Sequence, residues 1–170
     1  MKTLVAVMLF AVYGLAQQSS TPPQFHEACG PLKVNFETSI STNRPPAQPE
    51  PGKALVYVAE DYPPIIGAPT FKIGLDGAWM GATHGGSYLV FSVDPGEHHM
   101  CIRWQSRLDS LSRMVSFAHL TAEPGKTYYF RARAIYYPPS PMYLDLDLID
   151  PDEGQYMVAS SPLITAHAKK

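Results

Sequence analysis

His98-His99-Met100-Cys101 gathers the residue types with the widest chemical reach in this chain. Imidazole, thioether and thiol are soft ligands, and together they suit copper. The run lies in a strand-like segment, His98 to Trp104, where successive side chains point to opposite faces. Neighbouring His98 and His99 therefore cannot grip one ion from a regular strand, and His84 and His26 could join them only through folding. A soft-metal site, were there one, would use His84, His98 and His99. The plainer expectation is that these rings are solvated or hydrogen-bonded, that there is no metal and that there is no cofactor.

The chain has two cysteines, Cys29 and Cys101, and their chemistry depends on compartment. Lys2 precedes an uncharged, mostly apolar run from Leu4 to Leu15, and Gly14 and Ala16 put small residues at −3 and −1 before Gln17. That is the pattern of a secretory signal over residues 1–16, and the run is too short for the ~20 apolar residues of a membrane span. No other stretch is long and apolar enough to span a membrane. Export to the periplasm or the medium follows as an expectation. In such a compartment, two cysteines point to one Cys29–Cys101 disulfide rather than a metal pair or a catalytic thiol. Cys29 is far from the apolar run and preceded by polar residues, so a lipid-attachment role does not fit it.

Catalysis would need a positioned nucleophile, a base and oxyanion donors. No Gly-x-Ser-x-Gly elbow, His-Glu-x-x-His pair or phosphate-cradling loop occurs, and Ser39, Ser87, Ser106 and Ser110 have no companion pattern. Gly81 to Gly86 fits a hairpin turn better than a phosphate loop. The expectation is a protein that is not an enzyme. Aromatic residues offer the better binding chemistry: Trp79, Tyr129, Tyr137 and Tyr143 could sit on outer faces or loop rims, where sugars or peptides stack on rings. Rings of these types also pack inside sandwich cores, and that alternative stays open for each.

The elements that must position these residues are announced by turns. Glu50-Pro51-Gly52-Lys53, Asp94-Pro95-Gly96-Glu97 and Glu123-Pro124-Gly125-Lys126 each precede a strand-like run. Proline presets φ for a tight turn, and glycine accepts the positive φ that can follow. Asp76-Gly77 is a two-residue hairpin signal between Thr70–Leu75 and Ala78–Ala82. Further strands are read at Ala54–Ala59, Ser87–Val93, His98–Trp104, Met114–Ala122, Thr127–Tyr136 and Tyr143–Ile149, with Leu32–Glu37 as an N-terminal addition. The fold class that follows is all-β, an antiparallel two-layer sandwich of immunoglobulin-like or related type. One short helix, and no other in the mature chain, is expected from Pro151 to about Ala159, capped by Asp150. The 17 prolines and the 16% of charged residues agree with a turn-rich β domain. A net charge of −2 gives no reason to expect nucleic acid or an anionic membrane as partner.

Period two assigns the faces. Met100, Ile102 and Trp104 point to the core, with His99, Cys101 and Arg103 outward. Tyr128, Phe130, Ala132 and Ala134 point in, with Tyr129, Arg131 and Arg133 out. If residues 137–141 form a loop, Arg133 falls opposite Asp145 and Arg131 opposite Asp147, as cross-strand ion pairs. The division expected is a signal at 1–16, a leader at 17–50 with one strand and a Pro-rich connector, a sandwich at 51–165 and a frayed tail at 166–170.

From Pro51 to Ala159 the chain resembles a bacterial family, the domain of unknown function numbered twenty-eight forty-six. The resemblance rests on Pro51-Gly52-Lys53-Ala54-Leu55-Val56-Tyr57-Val58, on Leu75-Asp76-Gly77-Ala78-Trp79-Met80-Gly81, on Val93-Asp94-Pro95-Gly96-Glu97-His98 and on Glu123-Pro124-Gly125-Lys126-Thr127-Tyr128. It implies an exported sandwich-like domain in a cell-envelope setting and brings no catalytic residues. The function expected is a non-catalytic module that binds or supports an envelope protein or glycan. Carbohydrate or peptide binding by exposed aromatics, and soft-metal binding, are the alternatives.

Overall fold

Two of the three Pro-Gly signals close as ordinary turns: Lys53 N–H donates to Glu50 O at 3.0 Å and Lys126 N–H to Glu123 O at 3.2 Å. Asp76 (φ 46°) and Gly77 (φ 82°) are both left-handed, as a two-residue hairpin turn of the primed type requires. The computed structural model describes residues 28–43, 45, 48–62 and 67–169. In chain order the elements are β1 (Phe36–Ile40), β2 (Ala54–Glu60), β3 (Thr70–Leu75), β4 (Ala78–His84), β5 (Tyr88–Val93), β6 (Gly96–Trp104), α1 (Asp109–Ser112), β7 (Val115–Ala122), β8 (Thr127–Ile135), β9 (Tyr143–Leu148), α2 (Pro151–Ala159) and β10 (Ile164–Ala168).

Two four-stranded sheets, ordered β5-β2-β8-β9 and β4-β3-β6-β7, pack as a sandwich, and β1 pairs with β10 beside them. The core between the sheets holds Val56, Val58, Phe71, Ile73, Met100, Ile102, Phe130 and Ala132, with Leu144 and Leu146 from β9. The faces read from alternation are those observed. Trp104 is only half-buried, standing edge-on to Phe71 with ring centroids 5.5 Å apart.

One pairing departs from the antiparallel expectation. β2 and β8 run parallel, Leu55 opposite Thr127 through Glu60 opposite Ala132, and the whole of the second sheet intervenes between them in sequence. A second departure is an extra apolar layer. α2 lies over the outer face of the first sheet, and Leu55, Tyr57, Ala59 and Tyr88 pack beneath it with Met157 and Val158. Every residue of β2 is buried as a result. α2 itself is the helix expected: Asp150 accepts from Asp152 N–H at 2.8 Å and Pro151 occupies the first turn.

Three expectations are corrected. The N-terminal strand is Phe36–Ile40, not Leu32–Glu37, and Ser39 and Ile40 belong to it rather than to a connector. Leu32 and Lys33 form a turn, and the carbonyls of Leu32 and Val34 serve the Lys72 side chain instead of a ladder. The tail is not frayed through residue 168, since Ala166–Ala168 extend β10 against Phe36–Thr38. A helical turn, Asp109–Ser112, adds to the single helix anticipated. The signal at 1–16, the leader to residue 27 and His26 lie outside the described residues.

Candidate functional site

The outer face of the second sheet is covered by the segment from Ala28 to Asn35. Cys29 and Cys101 form a disulfide with Cα atoms 5.6 Å apart, so Cys101 points away from the core yet is fully buried. Close approach is possible because β3 has no side chain at Gly74. A Cβ there would lie 2.7 Å from Ala28 O and 2.8 Å from Cys101 Sγ. Trp79 completes the clasp. Its Nε1–H donates to Pro31 O at 2.9 Å, Gly30 lies against its ring, and Lys72 Nζ stands 4.5 Å from the ring centroid. Lys72 Nζ also donates to Val34 O at 2.8 Å and Leu32 O at 3.3 Å. Burial, then the neighbouring charge of Arg103, brings the Lys72 pKa down to about 8.

The histidines do not come together. His98 Nδ1 faces Asp76 Oδ2 at 2.6 Å and its Nε2 faces Asp94 O at 2.7 Å, so both ring nitrogens meet acceptors. Burial pulls the His98 pKa down, but these two bonds outweigh it, and the ring titrates above its ordinary value. The Asp76 carboxyl has the converse balance. Burial raises its pKa, and the bonds from His98 and His99 N–H lower it further than that, leaving it below its usual range. The His99 ring tilts over His119, with centroids 5.4 Å apart, and His119 pairs with Glu97. His84 sits at the far end of the β3–β4 hairpin, bonded to Thr70 Oγ1 and Pro69 O, each at 3.0 Å. Among the described residues no group of His, Cys, Asp and Glu could hold a metal ion.

Of the four candidate rings, two are covered and two are presented. Trp79 lies under the N-terminal segment. Tyr129 points outward from its sheet as the alternation predicts, but α2 covers it. It stacks on Tyr57 at 5.1 Å, and Gly154 of the helix touches its ring. Tyr137 and Tyr143 remain 72% and 49% exposed, and the neighbouring Tyr136 and Met142 are exposed with them. All four lie on the loop and first residues of the β8–β9 hairpin, where Ser140 N–H donates to Tyr137 O at 2.8 Å.

The hairpin is braced on its outer face in the predicted register, Arg131 opposite Asp147 and Arg133 opposite Asp145. Arg133 donates to Asp145 Oδ2 from Nε at 2.9 Å and from Nη2 at 2.7 Å. Arg131 Nη2 donates to Asp147 Oδ2 at 2.7 Å and its Nη1 to Glu153 Oε1 at 2.5 Å. The last bond ties α2 to β8. Arg131 engages both oxygens of Asp147, Arg133 sets two donors on one oxygen of Asp145, and these partly buried pairs hold the hairpin rigid more than isolated surface pairs would.

Sequence reasoning missed Glu60. It ends β2 as a fully buried carboxyl, with Oε1 accepting from Gly85 N–H at 3.1 Å. The Thr83 hydroxyl lies beside it, yet neither Glu60 Oε2 nor Thr83 Oγ1 has a hydrogen-bond partner. Burial outweighs the opposing influence of the neighbouring Thr83 hydroxyl and the Gly85 and Gly86 backbone, and raises the Glu60 pKa to about 7. A charged residue after Val-Ala reads as the step out of a strand. Its burial comes from α2 and the Gly85–Gly86 turn, which the strand's own pattern does not report.

No protein-family model matches this chain. No curated protein and no solved structure matches it either.

Proposed function

We propose that the chain is a non-catalytic, exported β-sandwich that binds or supports a component of the bacterial cell envelope, and that its contact surface is the tip of the β8–β9 hairpin. One observation carries this reading: Tyr136, Tyr137, Met142 and Tyr143 stand exposed together on a braced hairpin. Tyrosine presents a large, rigid apolar face with a polar tip, and it is enriched among residues that dominate binding energy. The arginine–aspartate brace lowers the ordering cost of binding, because the strands that flank the loop are already fixed. The secretory pattern at residues 1–16 and the resemblance to the exported family support an envelope setting.

The same tyrosines favour a second reading, a carbohydrate- or peptide-binding module, since Tyr137 and Tyr143 of the candidate rings are the two left open. One experiment covers both. The mature, oxidised chain is immobilised and offered detergent-extracted envelope proteins, and separately isolated peptidoglycan. Near-stoichiometric retention of one protein supports the first reading, and retention by the glycan supports the second. In either case Tyr137→Ser with Tyr143→Ser is expected to weaken retention about tenfold or more. Retention unchanged in the double variant would remove the hairpin from the proposal.

A further inference from the structure

We propose that the cleft between Leu32, Arg103 and α1 is a binding site for a phosphate group, distinct from the hairpin surface and independent of it. The cleft has a volume of about 390 Å³. Lys72 and Arg103 stand on adjacent strands at directly paired positions, and both line it. Like charges opposite one another across a strand pair repel, and natural sheets place an acid between them or avoid the arrangement. Among the described residues neither Lys72 nor Arg103 has a carboxylate within ion-pair distance.

Lys72 is almost wholly buried, and its ammonium is held by two carbonyl oxygens and the Trp79 ring, none of which carries a full negative charge. Arg103 donates from Nη1 to Ser112 O at 3.2 Å, which fixes the guanidinium under α1. Its Nε is buried and has no acceptor. A buried donor without a partner is an uncommon cost, and one that a bound oxyanion removes. A third cation, Arg113, lines the cleft, and Arg107 lines the one adjoining it. Asp109 is the one carboxylate in the lining, and it is exposed and paired to Arg113.

The ligand class follows from the charges. A phosphate monoester carries close to two negative charges at neutral pH and three acceptor oxygens, enough to answer two adjacent cations and the unused Nε–H. A single carboxylate would leave one cation unmatched. The lowered Lys72 pKa agrees with a cation lacking its counter-ion.

The test is thermal unfolding of the oxidised chain in inorganic phosphate against sodium chloride of equal ionic strength. A saturable rise in Tm of about 3–5 °C at ten times the dissociation constant is expected, with none in chloride. Arg103→Gln is expected to abolish the rise. It should change the phosphate-free Tm little, because the lost bond to Ser112 O is offset by removal of the like charge beside Lys72. A merely structural Arg103 would instead lower that Tm and leave the phosphate-induced rise in place. Lys72 anchors the N-terminal segment, so it is followed in the unmodified chain. The NMR titration of its Cε is expected to move from about 8 toward the ordinary lysine value when phosphate is added.

Glycerol phosphate and vesicles of phosphatidate in phosphatidylcholine separate a soluble monoester from a lipid headgroup as the source. Saturable binding to either, lost in Arg103→Gln, supports the site. Equal Tm in phosphate and chloride, an Arg103→Gln response equal to that of the parent, or a Lys72 titration indifferent to phosphate would each overturn it.

Discussion

Replacing Glu60 with glutamine is expected to flatten the pH dependence of stability. In the folded chain the carboxyl titrates at about 7 instead of 4.5, because burial disfavours its charged form. A raised folded-state pKa means that the stabilising contribution is complete below the unfolded value and is lost as pH rises through the folded one. At about 1.4 kcal/mol per unit of displacement, ionised Glu60 burdens the folded chain by about 3 kcal/mol above pH 8. At pH 5 the burden is only about 1 kcal/mol, so the difference between pH 5 and pH 8 is about 2–3 kcal/mol.

Glutamine keeps the neutral shape. Its carbonyl can accept from Gly85 N–H, and its amide can donate to the unpartnered Thr83 hydroxyl. The assay is urea unfolding of both oxidised proteins at pH 5 and pH 8. Between these values the parent is expected to lose about 2–3 kcal/mol more than the variant, and at pH 8 the variant is the more stable of the two. His98 also titrates above its ordinary value, and its contribution is likewise lost as pH rises, but it is common to both proteins and cancels. Parallel pH profiles for parent and variant would refute the reasoning.

Gly154→Ala places a Cβ 2.2 Å from the Tyr129 ring, and overpacking of this kind costs about 1–3 kcal/mol in denaturant unfolding. Were α2 not seated on β8, the same change would stabilise by up to about 1 kcal/mol through helix propensity, so the sign decides. Replacing Cys29 and Cys101 by serine opens a link across 72 positions, and the chain-entropy relation gives a loss of about 4 kcal/mol in the same assay. The intact protein is expected to weigh two hydrogens less than its reduced form by mass spectrometry. Tyr137→Ser with Tyr143→Ser is expected to leave unfolding within about 0.5 kcal/mol of the parent, as exposed positions do, while weakening envelope retention.

Alternation along single strands carried much of this fold. Met100 and Ile102 against Cys101, and Phe130 and Ala132 against Arg131, follow from period two alone, and the Arg133–Asp145 register followed once the loop length was read. What alternation does not reveal is what covers an outward side chain. Tyr129 and Trp79 point outward as read, yet α2 buries one and the Ala28–Asn35 segment clasps the other. Glu60 is buried by the same helix layer and the Gly85–Gly86 turn, both distant in sequence. The parallel pairing of β2 with β8 and the joining of β1 with β10 are likewise long-range choices that no local pattern encodes. For Tyr137 and Tyr143 the sequence left packing and exposure both open, and they are exposed because among the described residues nothing covers their loop.

Site-specific photo-crosslinking in living cells puts the hairpin reading to its hardest test. A benzophenone side chain at position 137 is expected to give one dominant adduct with an envelope component, while the same probe at Lys126, at the opposite end of β8, gives none. Absence of an adduct at 137, or equal adducts from both positions, would contradict the assignment of the tyrosine-bearing tip as the contact surface.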